Sequence, residues 1–277
     1  MKSVGSLIFL LAVCSVVNAQ QSTLLSSIAG VDRMSVVKTS IAVPSWNEKS
    51  FWPLYEQYRE NINDKSLIMY RALDQFAHIG RNTSDEEALA QAQQMLASRT
   101  ADLAVKREYY EKITQEFNGV VSFQFLQTEM LLDMMESAGL YEQTRWKNFR
   151  FHPTALSSPD FRRVKYSLIA NAVELPEEKA EDFYWIYSRY EEDCNDLLGE
   201  NYDIVGLYAG EPSDYTPAIA KQLGSNLLTI LERENKLKEK YFKKMSEEVG
   251  ASLASRFLAW EDYYSLISKM SAWADTP

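Results

Sequence analysis

Apolar side chains recur along this chain at intervals of three, four and seven residues, the period of helices that turn one face inward. Phe51, Tyr55 and Tyr58 lie at i, i+4 and i+7 in the stretch FWPLYEQYR. The same spacing returns at Phe183, Tyr187 and Tyr190 in FYWIYSRYE. Further on, Leu96, Leu103, Tyr110 and Phe117 form an apolar row at sevens, with Arg99, Lys106 and Ile113 beside it. Leu228, Asn235, Phe242 and Val249 form a second row, with Leu231, Lys238 and Met245 interleaved. Rows at sevens predict a seam along which long helices pack.

Punctuation agrees with long helices. Ten glycines and eight prolines are few for 277 residues. Ser45 to Glu48 has the form of a capping box and opens a first helix, with a kink expected at Pro53. A break near Gly80 and a second capping box, Thr83 to Glu86, open a long helix to about Phe117. Gly119 interrupts it, and a third helix runs to about Ser137. The pattern then repeats. A helix opens at Pro176, a long one starts at Thr216-Pro217, Gly250 breaks it after Val249, and the last reaches about Trp273.

A shift of 132 residues aligns Val43-Pro44 with Leu175-Pro176 and the two aromatic triplets with each other. Without a gap it also aligns KREYYEK (106–112) with KEKYFKK (238–244) and FLQTE (125–129) with FLAWE (257–261). Agreement of separate blocks on one shift marks an internal repeat. The expected organisation is a signal peptide at 1–19, an N-terminal linker at 20–42, helical repeat 1 at 43–138, a basic linker at 139–172 and helical repeat 2 at 173–277. The expected fold is all-α: two related units of about three helices, each with one long central helix, packed as a pseudo-two-fold bundle.

Charge and the chain start narrow the setting. Lys2 followed by the apolar run from Leu7 to Val17, with Val17 and Ala19 before Gln20, reads as a secretion signal. Lipidation at Cys14 is the alternative. No later segment is apolar enough to span a membrane, so the exported chain is expected in the periplasm without a transmembrane segment. The net charge of −10 argues against nucleic acid as a partner. Cleavage leaves Cys194 as the one cysteine, so the core and no disulfide must hold the fold.

Candidate chemistry is sparse. The two histidines, His78 and His152, lie far apart without cysteine neighbours, and no phosphate loop or nucleophile elbow is present. The expectation is therefore a protein that is not an enzyme and needs no cofactor or metal. The aromatic triplets read as core faces before a ligand cage. Lys106 and Lys238 hold the same seam position in both repeats, and the expected partners of their ammonium groups are Glu129 and Glu261. The segment from Arg145 to Lys165 reverses the local charge. Arg145, Trp146, Lys147, Phe149 and Arg150, followed by Arg162 and Arg163, form a candidate interaction surface for an anionic partner. The alternative is that this basic island docks on the chain's own acidic helices.

Each repeat resembles the Spy/CpxP-type periplasmic helical proteins grouped by an LTxxQ motif. The resemblance lies in Phe51-Trp52-Pro53-Leu54-Tyr55, in the lysine- and tyrosine-rich stretch 106–112, and in Arg256-Phe257 with Glu261. The motif's glutamine is replaced by Asn47 and Lys179, its threonine by Pro44 and Pro176, and Gln124 stands where an arginine is usual. The resemblance implies an all-helical fold, periplasmic residence and chaperone-like or envelope-stress binding without cofactors. The expected function is non-enzymatic holding of unfolded or partner polypeptides. The alternative is a structural or interaction module of an envelope or surface assembly.

Overall fold

The computed structural model describes residues 33–77, 83–141, 161–199 and 215–274. These residues form an all-α fold with no strand among them. In chain order the helices are α1 (Arg33–Ser40), α2 (Glu48–Ala77), α3 (Asp85–Glu116), α4 (Gly119–Tyr141), α5 (Phe161–Ala172), α6 (Ala180–Gly199), α7 (Pro217–Val249) and α8 (Ala251–Ala274). A 3₁₀ turn at Glu177–Lys179 leads into α6. The two long helices, α3 and α7, have 32 and 33 residues. No described helix is long and apolar enough to cross a membrane.

Two long helices start on capping side chains, whereas the expected capping box at Ser45 to Glu48 is instead a turn leading into the helix. Helix α2 begins at Glu48, after a turn in which the Asn47 N–H donates to the Pro44 carbonyl. Helix α3 is capped by Ser84 and Glu87, one residue beyond the expected box, with both reciprocal bonds at 3.2 Å. Ser and Thr precede Glu87 and Glu86 at equal spacing, so the inward register of Ala88, Ala92 and Met95 decides between them. Thr216 caps α7 as its sequence predicts.

The two glycine breaks have different causes. Gly250 has φ +96°, a conformation that side chains disfavour. Around it, Lys179 Nζ donates to the last carbonyl of α7, that of Val249, at 2.6 Å. Asp85 accepts the Ser252 N–H at the start of α8 at 2.8 Å. At the other break, Asn118 Oδ1 accepts the Val120 and Val121 N–H groups. Gly119 is required by proximity, since a Cβ there would lie 1.9 Å from the Pro217 carbonyl oxygen.

The aromatic triplets are core. Phe51, Tyr55 and Tyr58 are buried with Phe125, and Phe183, Tyr187 and Tyr190 with Phe257. Edge-on ring contacts recur, with Tyr58–Phe125 at 4.9 Å and Tyr190–Phe257 at 5.3 Å between centroids. The halves also reach into each other. Ala88, Ala92, Met95 and Leu96 of α3 belong to the core built on α6 and α8. Ala220, Leu223, Leu227 and Leu228 of α7 pack with Tyr110, Phe123 and Leu126 of α3 and α4.

Both segments read as linkers carry helices. Helix α1 lies within 20–42 and buries Val36 and Val37. Helix α5 lies within 139–172 and places Ile169 and Ala172 in the core. Helix α1 is too short for a period to show, and the pattern of α5 is masked by the basic run before it.

Candidate functional site

Glu129 of α4 is fully buried, and three neighbours hold it. Tyr55 and Tyr58 donate their hydroxyls at 2.9 and 2.7 Å, and Arg33 Nη2 at 2.6 Å. The residues 132 positions on repeat much of this. Tyr187 donates to Glu261 at 3.0 Å, and Lys165 Nζ lies 3.8 Å from Glu261 and 3.0 Å from Glu191. Burial pushes the Tyr55 and Tyr187 hydroxyls above their usual range, and the neighbouring carboxylates add to it. Burial also raises Glu261, against the opposing pull of Lys165. These are structural locks, since both Glu129 oxygens and the tyrosine hydroxyls are spent on neighbours in the core, although Arg33 Nε and Glu191 Oε2 have no hydrogen-bond partner.

The lysines on the seam are buried but choose other partners than expected. Lys106 pairs with Asp102, one turn before it, and with Asp133 at 2.5 Å. Lys238 pairs with Glu234 at 2.9 Å and with Asp262 at 3.1 Å. The expected pairs Lys106–Glu129 and Lys238–Glu261 do not form. Glu129 and Glu261 face α2 and α6, where tyrosines take them, whereas the lysines line the cavity at the seam and pair with carboxylates of their own half. A carboxylate four residues before a lysine on one helix is the nearer partner. Burial alone would lower Lys106, but Asp133 and Asp102 overcome it and hold the ammonium above its ordinary value. Burial holds the Asp102 carboxyl above its usual range, only partly offset by Lys106.

Between these lysines lies a cavity of about 210 Å³ where α3, α4, α7 and α8 meet. Apart from Ser137, its lining residues fall into pairs 132 positions apart. Lys106 pairs in this sense with Lys238, Asp102 with Glu234, Leu103 with Asn235, and Arg99 with Leu231. The cavity thus sits where the two repeats meet. Arg99 crosses it to Asp262 at 2.5 Å.

A second concavity, about 820 Å³, runs along α3 and α7 near the start of α3. Leu89, Leu96 and Phe242 lie beneath it, and Asp85, Glu86, Glu239 and Glu247 flank it against one lysine, Lys243. At the positions 132 residues away the same two helices are bridged. Arg107 Nε bonds Glu232 at 2.6 Å, and the Tyr110 hydroxyl donates to the Lys221 carbonyl. Gly224 admits that tyrosine, since a Cβ there would lie 2.5 Å from the ring. In the open groove Glu239 and Thr100 replace Arg107 and Glu232, Phe242 lacks the hydroxyl, and Ala92 replaces Gly224.

Of the candidate interaction surface, Arg145, Trp146, Lys147, Phe149 and Arg150 lie outside the described residues. Arg162 and Arg163 lie on α5, with side chains outside the description. Lys165, the last cation of that segment, is buried on the chain's own carboxylates. Arg33, Asp102, Asp133, Asp262 and the groove residues were not singled out by sequence. The shift of 132 carries a signal for Arg33, since it aligns with Lys165. Cys194 is a neutral thiol at physiological pH, its value pushed up to about 12 by burial. No family model matches the chain, and neither a curated protein nor a solved structure is similar to it.

Proposed function

We propose that this protein is a non-catalytic helical binding protein, exported to the periplasm, that holds polypeptide segments in the open groove between α3 and α7. The groove carries the reading. It offers apolar contact at Leu89, Leu96 and Phe242 between acidic flanks, which suits a basic amphipathic segment. Its bridged counterpart supports the same view, because Arg107 and Tyr110 occupy there the space that a guest would take here. The recurrence of contacts at one spacing supports an approximate two-fold relation between the halves. The resemblance of FWPLY and its companion motifs to Spy/CpxP-type proteins points to the same class of function. The apolar run at 7–17 supports export.

The test transfers the bridge. Thr100→Glu with Glu239→Arg places the Arg107–Glu232 pair across the open groove. A fluorescent basic amphipathic peptide should bind the wild-type protein and lose at least tenfold affinity in the double variant. Suppression of aggregation of a denatured client should fall with it. Equal binding by both proteins rejects the groove as the site. A second reading, an interaction module of an envelope assembly, draws on the exposed Trp46 and Trp185. It predicts loss of assembly on Trp46→Ser with Trp185→Ser while peptide binding persists.

A further inference from the structure

We propose that the cavity between the two repeats binds a small primary amine as its ammonium ion, with the apolar body of the ligand against Leu103, Met134 and Leu231. The inference rests on the cavity and does not need the groove to bind anything, although Thr100, which lines the groove, also holds Asn235. It begins with polar atoms that have nothing to bond. Asp102, Asn235 and Asp262 line the cavity, and Asp102 Oδ1, Asn235 Oδ1 and Asp262 Oδ2 have no hydrogen-bond partner. All three residues are more than nine-tenths buried. Buried polar atoms in folded proteins are nearly always paired, so three orphans on residues that line one cavity call for an occupant.

The orphans are all acceptors, and their complement is a donor. The orientation of Asn235 follows from its neighbours. Its Nδ2 donates to Thr100 Oγ1 at 2.8 Å, and the Thr100 hydroxyl spends its own proton on the Leu96 carbonyl at 3.2 Å. The amide oxygen is therefore the end left without a partner. An anion would meet acceptor against acceptor. A metal ion is also disfavoured, because no group of three His, Cys, Asp or Glu among the described residues could hold one.

Charge leads to the same conclusion. Among the described residues, four carboxylates, Asp102, Asp133, Glu234 and Asp262, and three cations, Arg99, Lys106 and Lys238, line the cavity, an excess of acceptors that favours a cation over an anion. A primary ammonium brings a positive charge together with three N–H donors, one for each orphan oxygen. Water supplies donors but no positive charge. The volume suffices, since a cavity of about 150 Å³ already admits a benzene ring. Entry lies past Arg99, Asp133 and Glu234, whose side chains are 23, 23 and 24% exposed.

The experiment titrates benzylammonium chloride into the purified protein by calorimetry and follows Tm, with benzyl alcohol as the neutral isostere. Benzylammonium should bind one to one and raise Tm, and the alcohol should do neither. Asn235→Leu copies Leu103, its counterpart in the first repeat, and should fold while losing about tenfold in amine affinity, the worth of one charged hydrogen bond. Asp262→Asn should weaken binding as well. Equal stabilisation by amine and alcohol would mean a plain apolar cavity and overturn the proposal. So would unchanged affinity in Asn235→Leu, or no binding together with a crystal structure showing water alone on the three oxygens.

Discussion

Across α3 and α7, Arg107 holds Glu232 at 2.6 Å, whereas 132 residues away Glu239 and Thr100 flank a groove of about 820 Å³. The backbones at both places come from the same pair of long helices, and the apolar seam beneath has the same period. A few side chains decide the difference. Gly224 lets the Tyr110 ring approach until its hydroxyl reaches a carbonyl of α7. Ala92 and Phe242 at the matching positions have neither the space nor the hydroxyl. Two stretches 132 residues apart thus meet a similar packing problem, and a few side-chain differences leave one bridged and the other open.

The comparison breaks most readily at the buried lysine. Lys106→Met should destabilise by about 3 to 5 kcal/mol, because it leaves Asp102 buried without its cation. Adding Asp102→Leu should recover much of that loss, which urea unfolding of both variants would reveal. Next is Gly119→Ala, expected to lose about 2 to 3 kcal/mol because the new Cβ would strike the Pro217 carbonyl. The reverse change at the matching position, Ala251→Gly, should cost only about 1 kcal/mol. Equal losses at 119 and 251 would mean that the halves approach each other alike at both breaks.

Acid–base behaviour sharpens the comparison more gently. Asp102 and Glu261 are raised by burial above the ordinary 3.8 and 4.5. The folded chain therefore binds their protons more tightly than the unfolded chain. Their contribution is most favourable below those ordinary values and declines as pH rises through the raised ones. The unfolding midpoint of Asp102→Asn should accordingly decline less than that of the wild type between about pH 4 and pH 7. The smallest effect belongs to the bridge itself. Arg107→Ala removes a half-exposed ion pair and should change stability by no more than about 1 kcal/mol. Combined with Tyr110→Ala, which clears the ring that also fills this place, it should make the second groove accessible to the basic peptide, doubling the stoichiometry.

Much of the fold was legible. The rows at sevens located α3 and α7, Thr216-Pro217 marked one helix start, and the two glycines marked both breaks. The triplets Phe51-Tyr55-Tyr58 and Phe183-Tyr187-Tyr190 were readable as core because their period matches one helix face. Helices α1 and α5 were missed, since each is short and the second follows a basic run whose charge dominates its pattern. The ion pairs were half legible. Recurrence at one spacing picked out Lys106, Lys238, Glu129 and Glu261 as buried charges, but gave them to each other.

The sequence by itself determined the helical period, the repeat and which charged residues would be costly to expose or bury, because these depend on spacing along one chain. Tertiary structure alone decided which carboxylate meets which cation, since Glu129 turns to the tyrosines of α2 while Lys106 turns to Asp102 and Asp133 of its own repeat, beside the cavity. It also decided where the cavity and the open groove lie. Both form between helices far apart in sequence, and whether a gap closes there depends on a glycine, a hydroxyl and an arginine meeting across the seam.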